Sequence, residues 1–503
     1  MNHAEVVAQT LAARGIDTVF GLPGGEILAF VDAARRAGMR FLLTGHEASA
    51  AWMAGVTGEL TGVPGVCAAT LGPGASNFVT GVASAFLERA PMLAITAQTP
   101  NREIPTYTHQ RLELTAMFAP ISKAALTIGD RDTAELINNA VDLAVRPRSG
   151  PVYLSLPSDV AVRECGSCER TPKASAEPAL SGPLSEIAER IAASERPLIL
   201  IGLGASPACA PAIAAFLAKL RAPFVVTPKV KGIVGEEHPL FLGVASGMAL
   251  DREVVATLSA ADLIVAIGFD PVESDKSWFA SLDVVALDVV SMRLGDYRPL
   301  EALGDLPTLI AQLTASISRA KPWPDDLLQS RRQSMRARYL ATTTGLSPLR
   351  LIEELRSVFP RDGIASSDVG SHKVALGQFW RAYEPGTYLV ANGLSAMGFG
   401  IPAAMAAQLV HPARAVMAMV GDGGMLMMLH DLAMIRELAL PIVIVVFTDA
   451  SLSLIRLAAE RRKFEPTGVD FCPPDFTQIA RAFGIESARA TTLAQARSLV
   501  DQA

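Results

Sequence analysis

The sequence predicts an α/β protein built from three doubly wound parallel-sheet units, and three observations carry that prediction. Short runs such as "GVCAATLG", "MLAITAQ", "PVYLSLP", "PLILIGLG", "LIVAIGF" and "IVIVVF" are apolar throughout rather than alternating, as parallel strands covered on both faces are. Between them lie stretches whose apolar residues recur at helical spacing, the alternation that builds strand–helix–strand units. The 503 residues set a prior of about three domains.

The first unit, 1–163, opens on "MNHAEVVAQTLAARG", an amphipathic helix without the charged-then-apolar pattern of a signal peptide. It closes near "GPVYLSLPSDV". The Ser/Pro/Ala/Glu-rich "ERTPKASAEPALSGPLSE" marks a linker, 164–185. A second α/β unit, 186–318, is followed by a linker, 319–345, holding "AKPWPDD" and "RRQSMRAR". The third unit is 346–503. Net charge is −6, with both signs scattered, so no basic stripe points to nucleic acid. No apolar run reaches the roughly 20 residues of a membrane span. Five cysteines are too few for a disulfide framework, and the lone Cys165/Cys168 pair lacks the further ligands of a zinc site. These read as thiols in a reducing cytoplasm.

The stretch "AVMAMVGDGG" poses the chemical question. The strand-like "AVMAMV" ends on Asp422 held between glycines, "GMLMMLHDLAMIREL" reads as a helix, and the strand-like "PIVIVVF" ends at Thr448-Asp449. Asp422 and Asp449 therefore stand just past the C-terminal ends of two parallel strands, the edge where open α/β sheets bind ligands. Two carboxylates there repel unless a cation lies between them, and Mg²⁺ takes a few carboxylates together with ligand phosphates. Gly421, Gly423 and Gly424 let backbone N–H groups approach those phosphates. The alternative is an ordinary helix N-cap aspartate. Glu47, after "FLLT" and at the start of a small-residue helix, reads by itself more readily as a first-turn Glu favoured by the helix dipole than as a functional acid.

As a set, these segments resemble the thiamine diphosphate (ThDP) enzyme family, acetolactate synthase large-subunit type. "GDGG", a helix and an apolar strand closing in "TDASLSL" resemble its diphosphate motif. "FGLPGGEILAFVDAA", "LLTGHEASAAWMAGVTGELTG" and "TLGPGASNFVTGVASAFLERAPMLAITAQTP" resemble its pyrimidine-binding domain, and "KVKGIVGEEHPLFLG" its central domain. "SSDVGSHKVALGQFWRAYEPGTYLVANGLSAMGFGIPAAMAA" resembles the diphosphate-side loop and the segment bearing the bulky residue that bends the cofactor. The resemblance implies Mg²⁺ ligands Asp422, Asp449 and the Ser451 carbonyl. It implies cofactor contacts from Pro23, Gly24, Thr70, Gly74 and Asn77 on the pyrimidine side. On the diphosphate side it implies Gly370, Ser371, His372, Ser395, Met397, Gly421, Gly423, Gly424 and Leu452. Glu47 would hydrogen-bond the aminopyrimidine and promote its imino tautomer. Gln110 matches a Gln lining synthase sites, Lys123 matches the Lys of a following "P-I-[ST]-K", and His109 is a candidate proton donor.

The implied activity is Mg²⁺-dependent decarboxylation of a 2-oxo acid with transfer of the enamine to a carbonyl acceptor. A non-ligating decarboxylase and an inactive cofactor-binding scaffold are the alternatives. The family also implies a homodimer or homotetramer in which Glu47 of one chain meets Asp422 of another. "GFDPVE" replaces the family's flavin-associated pattern, so FAD is not expected. "SLIRLAAERRKFEPTGVDF" departs from the family near Ala458, where a smaller side chain would enlarge the substrate pocket and Arg461, Arg462 and Lys463 would meet an anionic substrate or simply face solvent. The final "TTLAQARSLVDQA" stands where the family usually continues into another strand, which implies a shortened or unusual end.

Overall fold

Three parallel sheets form where the apolar runs predict them. In the computed structural model, which describes residues 1–106, 108–129, 132–165, 180–274, 282–317, 323–341 and 346–503, the first sheet comprises β1 (Thr18–Leu22), β2 (Arg40–Leu43), β3 (Gly65–Ala69), β4 (Met92–Gln98), β5 (Ala124–Thr127) and β6 (Pro151–Pro157), in the order β2-β1-β3-β4-β6-β5. The second comprises β7 (Pro197–Ile201), β8 (Phe224–Val226), β9 (Phe241–Val244), β10 (Leu263–Ile267), β11 (Val284–Asp288) and β12 (Leu300–Leu303), ordered β12-β11-β10-β7-β8-β9. The third comprises β13 (Ile364–Ser367), β14 (Tyr388–Val390), β15 (Val416–Gly421) and β16 (Ile442–Phe447), ordered β14-β13-β15-β16. All strand pairs within these sheets run parallel. Most of the first predicted linker, with Cys168 of the CxxC pair, lies outside the described residues; most of the second is described and is not a bare connection, since it forms the helix Asp325–Ala341, with Trp323, Leu328 and Met335 buried.

The second sheet shows why its strands read as continuous apolar runs. Ile199 and Ile201 of β7 enter one core cluster, while Leu198 and Leu200 enter another on the opposite face. Each such side chain contributes roughly 1.5–3 kcal/mol by leaving water. β16, by contrast, is only half-buried along its length at the edge of the third sheet.

One core cluster joins the first and third units: Trp52 and Met53 share it with Ala403, Met405 and Ala407. The helix Glu47–Thr61, buried on nearly every side of its first three turns, packs on the helix Gly400–Val410. His46 starts the former by accepting the Ala48 N–H at Nδ1 (3.0 Å), and Gly62 ends it at φ 73°. Gly58 permits its close seat, since a Cβ there would lie 1.8 Å from the Pro91 carbonyl oxygen. The second unit is fastened to both others: Lys229 Nζ donates to Glu59 Oε2 (2.6 Å) and to the Val390 carbonyl (3.4 Å), and Arg89 donates to Asp270 (2.8 Å).

One helix differs from the sequence prediction. "GMLMMLHDLAMIREL" forms two short helices, Asp422–Met427 and Asp431–Glu437, rather than one. Between them the chain turns so that Met428 and His430 meet the first unit: the Ser49 hydroxyl lies 3.2 Å from His430 Nε2 and 3.7 Å from the Met428 sulfur. Tertiary packing overrides the helical period there. Among the described residues no helix is long and apolar enough to cross a membrane.

Candidate active site

In a doubly wound sheet, ligands collect where neighbouring strands lead their chains in opposite directions, at the carboxyl ends of those strands. The first sheet has that point between β1 and β3, and the third between β13 and β15. The candidate residues gather at these two places.

At the first, Glu47 is 6% exposed and accepts a hydrogen bond from Asn77 Nδ2 at Oε2 (2.9 Å). Asn77 and Gly74 lie on the helix Pro73–Leu87, and a Cβ on Gly74 would stand 3.3 Å from Glu47 Oε1. Thr70, just past β3, donates to Glu26 Oε2 (2.7 Å), and Gly24 is pressed so closely to Thr70 that a Cβ would overlap it at 2.6 Å. Pro23 is exposed beside Gly24. Gln110 sits against Gly72 with its own backbone in the left-handed region (φ 55°), and both it and His109 are exposed. Lys123 is directed elsewhere: its Nζ donates to the Arg146 carbonyl (2.6 Å) past the end of the helix Thr133–Val145, and burial draws it down to about 8.

At the second, Asp422 is 3% exposed. Its Oδ1 accepts the Gly423 N–H (2.8 Å), and its Oδ2 accepts the N–H groups of Asp449 (3.2 Å) and Ala450 (2.8 Å). The two acids, 27 residues apart in sequence, are thus brought together. Asp449 also accepts from the Ser451 N–H (3.3 Å) and from the Ser453 hydroxyl. Ala450 is held at φ 59°, and this loop pairs with 469–471. Among the described residues no group of three or more His, Cys, Asp or Glu gathers as a metal cage; two carboxylates and backbone oxygens are what this corner offers.

Facing Asp422 across the switch point is the turn between β13 and the helix Ser371–Phe379, which Gly370 and Ser371 open. His372 is buried there, stacked on Phe447 (5.4 Å between centroids), with its Cε1 3.2 Å from where a Cβ on Gly421 would stand. Its Nε2 is buried without a hydrogen-bond partner, and burial pulls the imidazole down to about 4. Asp368 accepts the N–H groups of Gly398 (2.9 Å) and Phe399 (3.1 Å) at Oδ1, while its Oδ2 has no partner; burial pushes this acid up to about 6. A Cβ on Gly423 would fall 3.1 Å from Met397 Cε and 3.3 Å from Leu452 Cδ2. Met397, Leu452, His372, Asp422, Asp449 and Ser451 line one groove of about 2080 Å³. Its described lining runs from Leu346 to Ala503 and includes neither Glu47 nor Asn77.

The second sheet has an equivalent crevice between β7 and β10, and the chain fills it itself. Glu273 accepts the Leu203 N–H (2.8 Å), Gly204 N–H donates to the Gly268 carbonyl (2.7 Å), and burial drives Glu273 up to about 8. Three groups near the sites were not singled out from the sequence: Glu26, Lys373 and Glu88. All three lie inside segments quoted above, "FGLPGGEILAFVDAA", "SSDVGSHKVALGQFW" and "SAFLERAPM", but their residue types alone did not mark them.

Comparison with known proteins places these features in context. Residues 1–117 match "Thiamine pyrophosphate enzyme, N-terminal TPP binding domain", 184–313 the central domain and 368–503 the C-terminal TPP binding domain of the same description. The chain is 30% identical to an acetolactate synthase of Bacillus subtilis, over 97% of this chain and 88% of that protein. It is 30% identical to the acetolactate synthase isozyme 2 large subunit of Escherichia coli, over 100% and 93%. It is likewise 30% identical to a probable acetolactate synthase large subunit of Methanocaldococcus jannaschii, over 97% and 87%.

Proposed function

The chain belongs to the thiamine pyrophosphate enzyme family, and from that premise we propose that it decarboxylates a 2-oxo acid and transfers the remaining acyl unit to a carbonyl acceptor, in the manner of an acetolactate synthase. The observation that carries this reading is the corner where Asp422 meets the loop of Asp449 and Ser451, opposite the partnerless Nε2 of His372.

That corner fits a diphosphate with Mg²⁺. A buried imidazole nitrogen without a partner costs free energy that a phosphate oxygen would return, and Gly421 leaves against the ring's Cε1 and Nδ1 the space a side chain would fill. We assign Asp422, Asp449 and the Ser451 carbonyl to Mg²⁺, and Gly370, Ser371, His372, Ser395, Gly421, Gly423 and Gly424 to the diphosphate side. Met397 and Leu452 would shape the middle of the cofactor. Pro23, Gly24, Thr70, Gly74 and Asn77 would border its pyrimidine, with Glu47 exchanging the proton at that ring. When bound, ThDP would supply the electron sink that takes up the electron pair left behind as CO₂ departs. The protein's part is orientation, exclusion of water and placement of protons. Gln110 and His109 stand nearest in sequence to this task, on the exposed loop over Gly72.

Since the groove holding Asp422 is lined without Glu47, the reading calls for two chains per site. Leu28 (54% exposed), Leu43 (53%) and Met427 (55%) lie close in sequence to the candidate residues and offer apolar surface to a second copy, in a dimer or a pair of dimers. Cysteines left as thiols, as Cys67, Cys209 and Cys472 are, suit a cytoplasmic setting. The test is incubation of the Mg²⁺–ThDP-loaded protein with pyruvate, then acidification. Acetoin supports the ligase reading; aldehyde alone replaces it with a simple decarboxylase.

A further inference from the structure

The segment 391–399 carries Met397, the side chain nearest Gly423, and it is held at three points by buried ionisable groups. Glu88 Oε1, at the end of the helix Pro73–Leu87, accepts the N–H groups of Asn392 and Gly393, each at 2.6 Å. Asp368 Oδ1 accepts those of Gly398 and Phe399. Lys373 Nζ donates to the Ala391 carbonyl (2.7 Å) and to the Ser395 hydroxyl (3.0 Å), which donates onward to the Asn392 carbonyl (2.8 Å). These groups are 5%, 0% and 3% exposed respectively. The segment needs such restraint, because Ser395 sits at φ 54°, a left-handed region that strains a residue with a side chain.

We propose that Lys373 is a positioning residue: by clamping Ala391 and Ser395 it fixes the strained turn that sets Met397 against Gly423, and so the bend of the cofactor rather than its affinity. This rests on the assignment of Met397 above. Asp368 grips the far end of the same segment from only five positions earlier in the chain, so one short stretch, 368–373, holds both ends. Burial draws the Lys373 ammonium down to about 8, yet it stays mostly charged at neutral pH, with Glu88 and Asp368 favouring that form. Hydrogen bonds from a charged donor are roughly twice as strong as neutral ones, which suits two of them to holding a strained turn.

The test uses the full chain with Lys373→Met, Lys373→Arg and Ser395→Ala. Without cofactor, amide hydrogen exchange in the 391–399 peptide should rise about tenfold or more in Lys373→Met and less in Ser395→Ala, with β16 unchanged. With Mg²⁺ and ThDP, the Kd should stay within about threefold of the parent while exchange of the thiazolium C2 proton slows about tenfold. Lys373→Arg should recover most of both losses. Unchanged 391–399 exchange, or Kd and C2 exchange worsening by the same factor, would overturn the proposal. If Lys373→Met does not fold, Ser395→Ala decides by the same two measurements. A parent protein that fails to bind ThDP would instead sink the functional reading itself.

Discussion

Replacing Gly424 with alanine gives the sharpest test of how the diphosphate corner is built. A Cβ at that position would lie 1.8 Å from Asp368 Oδ2 and 3.0 Å from Asp368 Cγ. Real Cβ atoms do not come within 3.0 Å of a neighbour, so the carboxylate must retreat by about 1.2 Å. Its other oxygen holds the Gly398 and Phe399 N–H groups at 2.9 and 3.1 Å, and a retreat of that size takes both beyond hydrogen-bond range. With each bond to a charged acceptor worth about 1.5–3 kcal/mol, the loss is about 3–6 kcal/mol, borne by the third unit. For a unit of that size the lower figure lowers its thermal transition by about 6 °C or more. The measurement is a thermal scan with ThDP titrations on Gly424→Ala, Asp368→Ala and the double variant. Since Asp368→Ala vacates the overlapping atoms, the double variant should be less damaged than the sum of the singles, by about 2 kcal/mol. Strict additivity, or a Gly424→Ala transition within 1 °C of the parent, would refute the reasoning.

Three further outcomes follow from the same geometry. Glu47→Gln should slow C2 proton exchange of bound ThDP by roughly 10²–10⁴ with its Kd changed less than about threefold, read by exchange with deuterated solvent and by titration. Asp422→Ala should abolish the Mg²⁺ dependence of ThDP binding and weaken it about 100-fold or more; swapped outcomes for these two variants would mean that their roles are reversed. Asp431 is fully buried and accepts from the Ser49 hydroxyl (3.1 Å), and burial pushes it from 3.8 up to about 7. Between those values the folded chain holds a proton that the unfolded chain releases, so this group's contribution to stability falls as pH rises from 3.8 to 7 and is flat above. Asp431→Asn should therefore gain on the parent by about 1–3 kcal/mol between pH 5 and pH 8 in denaturant titrations, and a pH-independent difference would contradict the assignment.

The strands were legible because burial on both faces writes itself into sequence as unbroken apolar runs: "MLAITAQ" and "PVYLSLP" coincide with β4 and β6. The two acids after β15 and β16 were legible for the same reason, since a strand's end fixes where the next residue stands. The break at 428–430 was not, because the helical period there is intact and the cause lies in Ser49, some 380 residues away. The grip of Glu88 on Asn392 spans 304 residues, and neither residue's neighbours announce the other. The filled crevice of the second sheet was likewise invisible, because a glycine-containing turn looks alike whether it greets a ligand or the chain's own carboxylate.

The helix Pro73–Leu87 has 15 residues, about 22 Å at 1.5 Å per residue. Near its start Asn77 steadies Glu47, and the residue just past its end, Glu88, anchors the segment of Met397. In the paired assembly proposed above, those ends belong to different reaction centres, each shared with the neighbouring chain. The two centres would then have a stiff strut in common, a mechanical link between them within a single polypeptide.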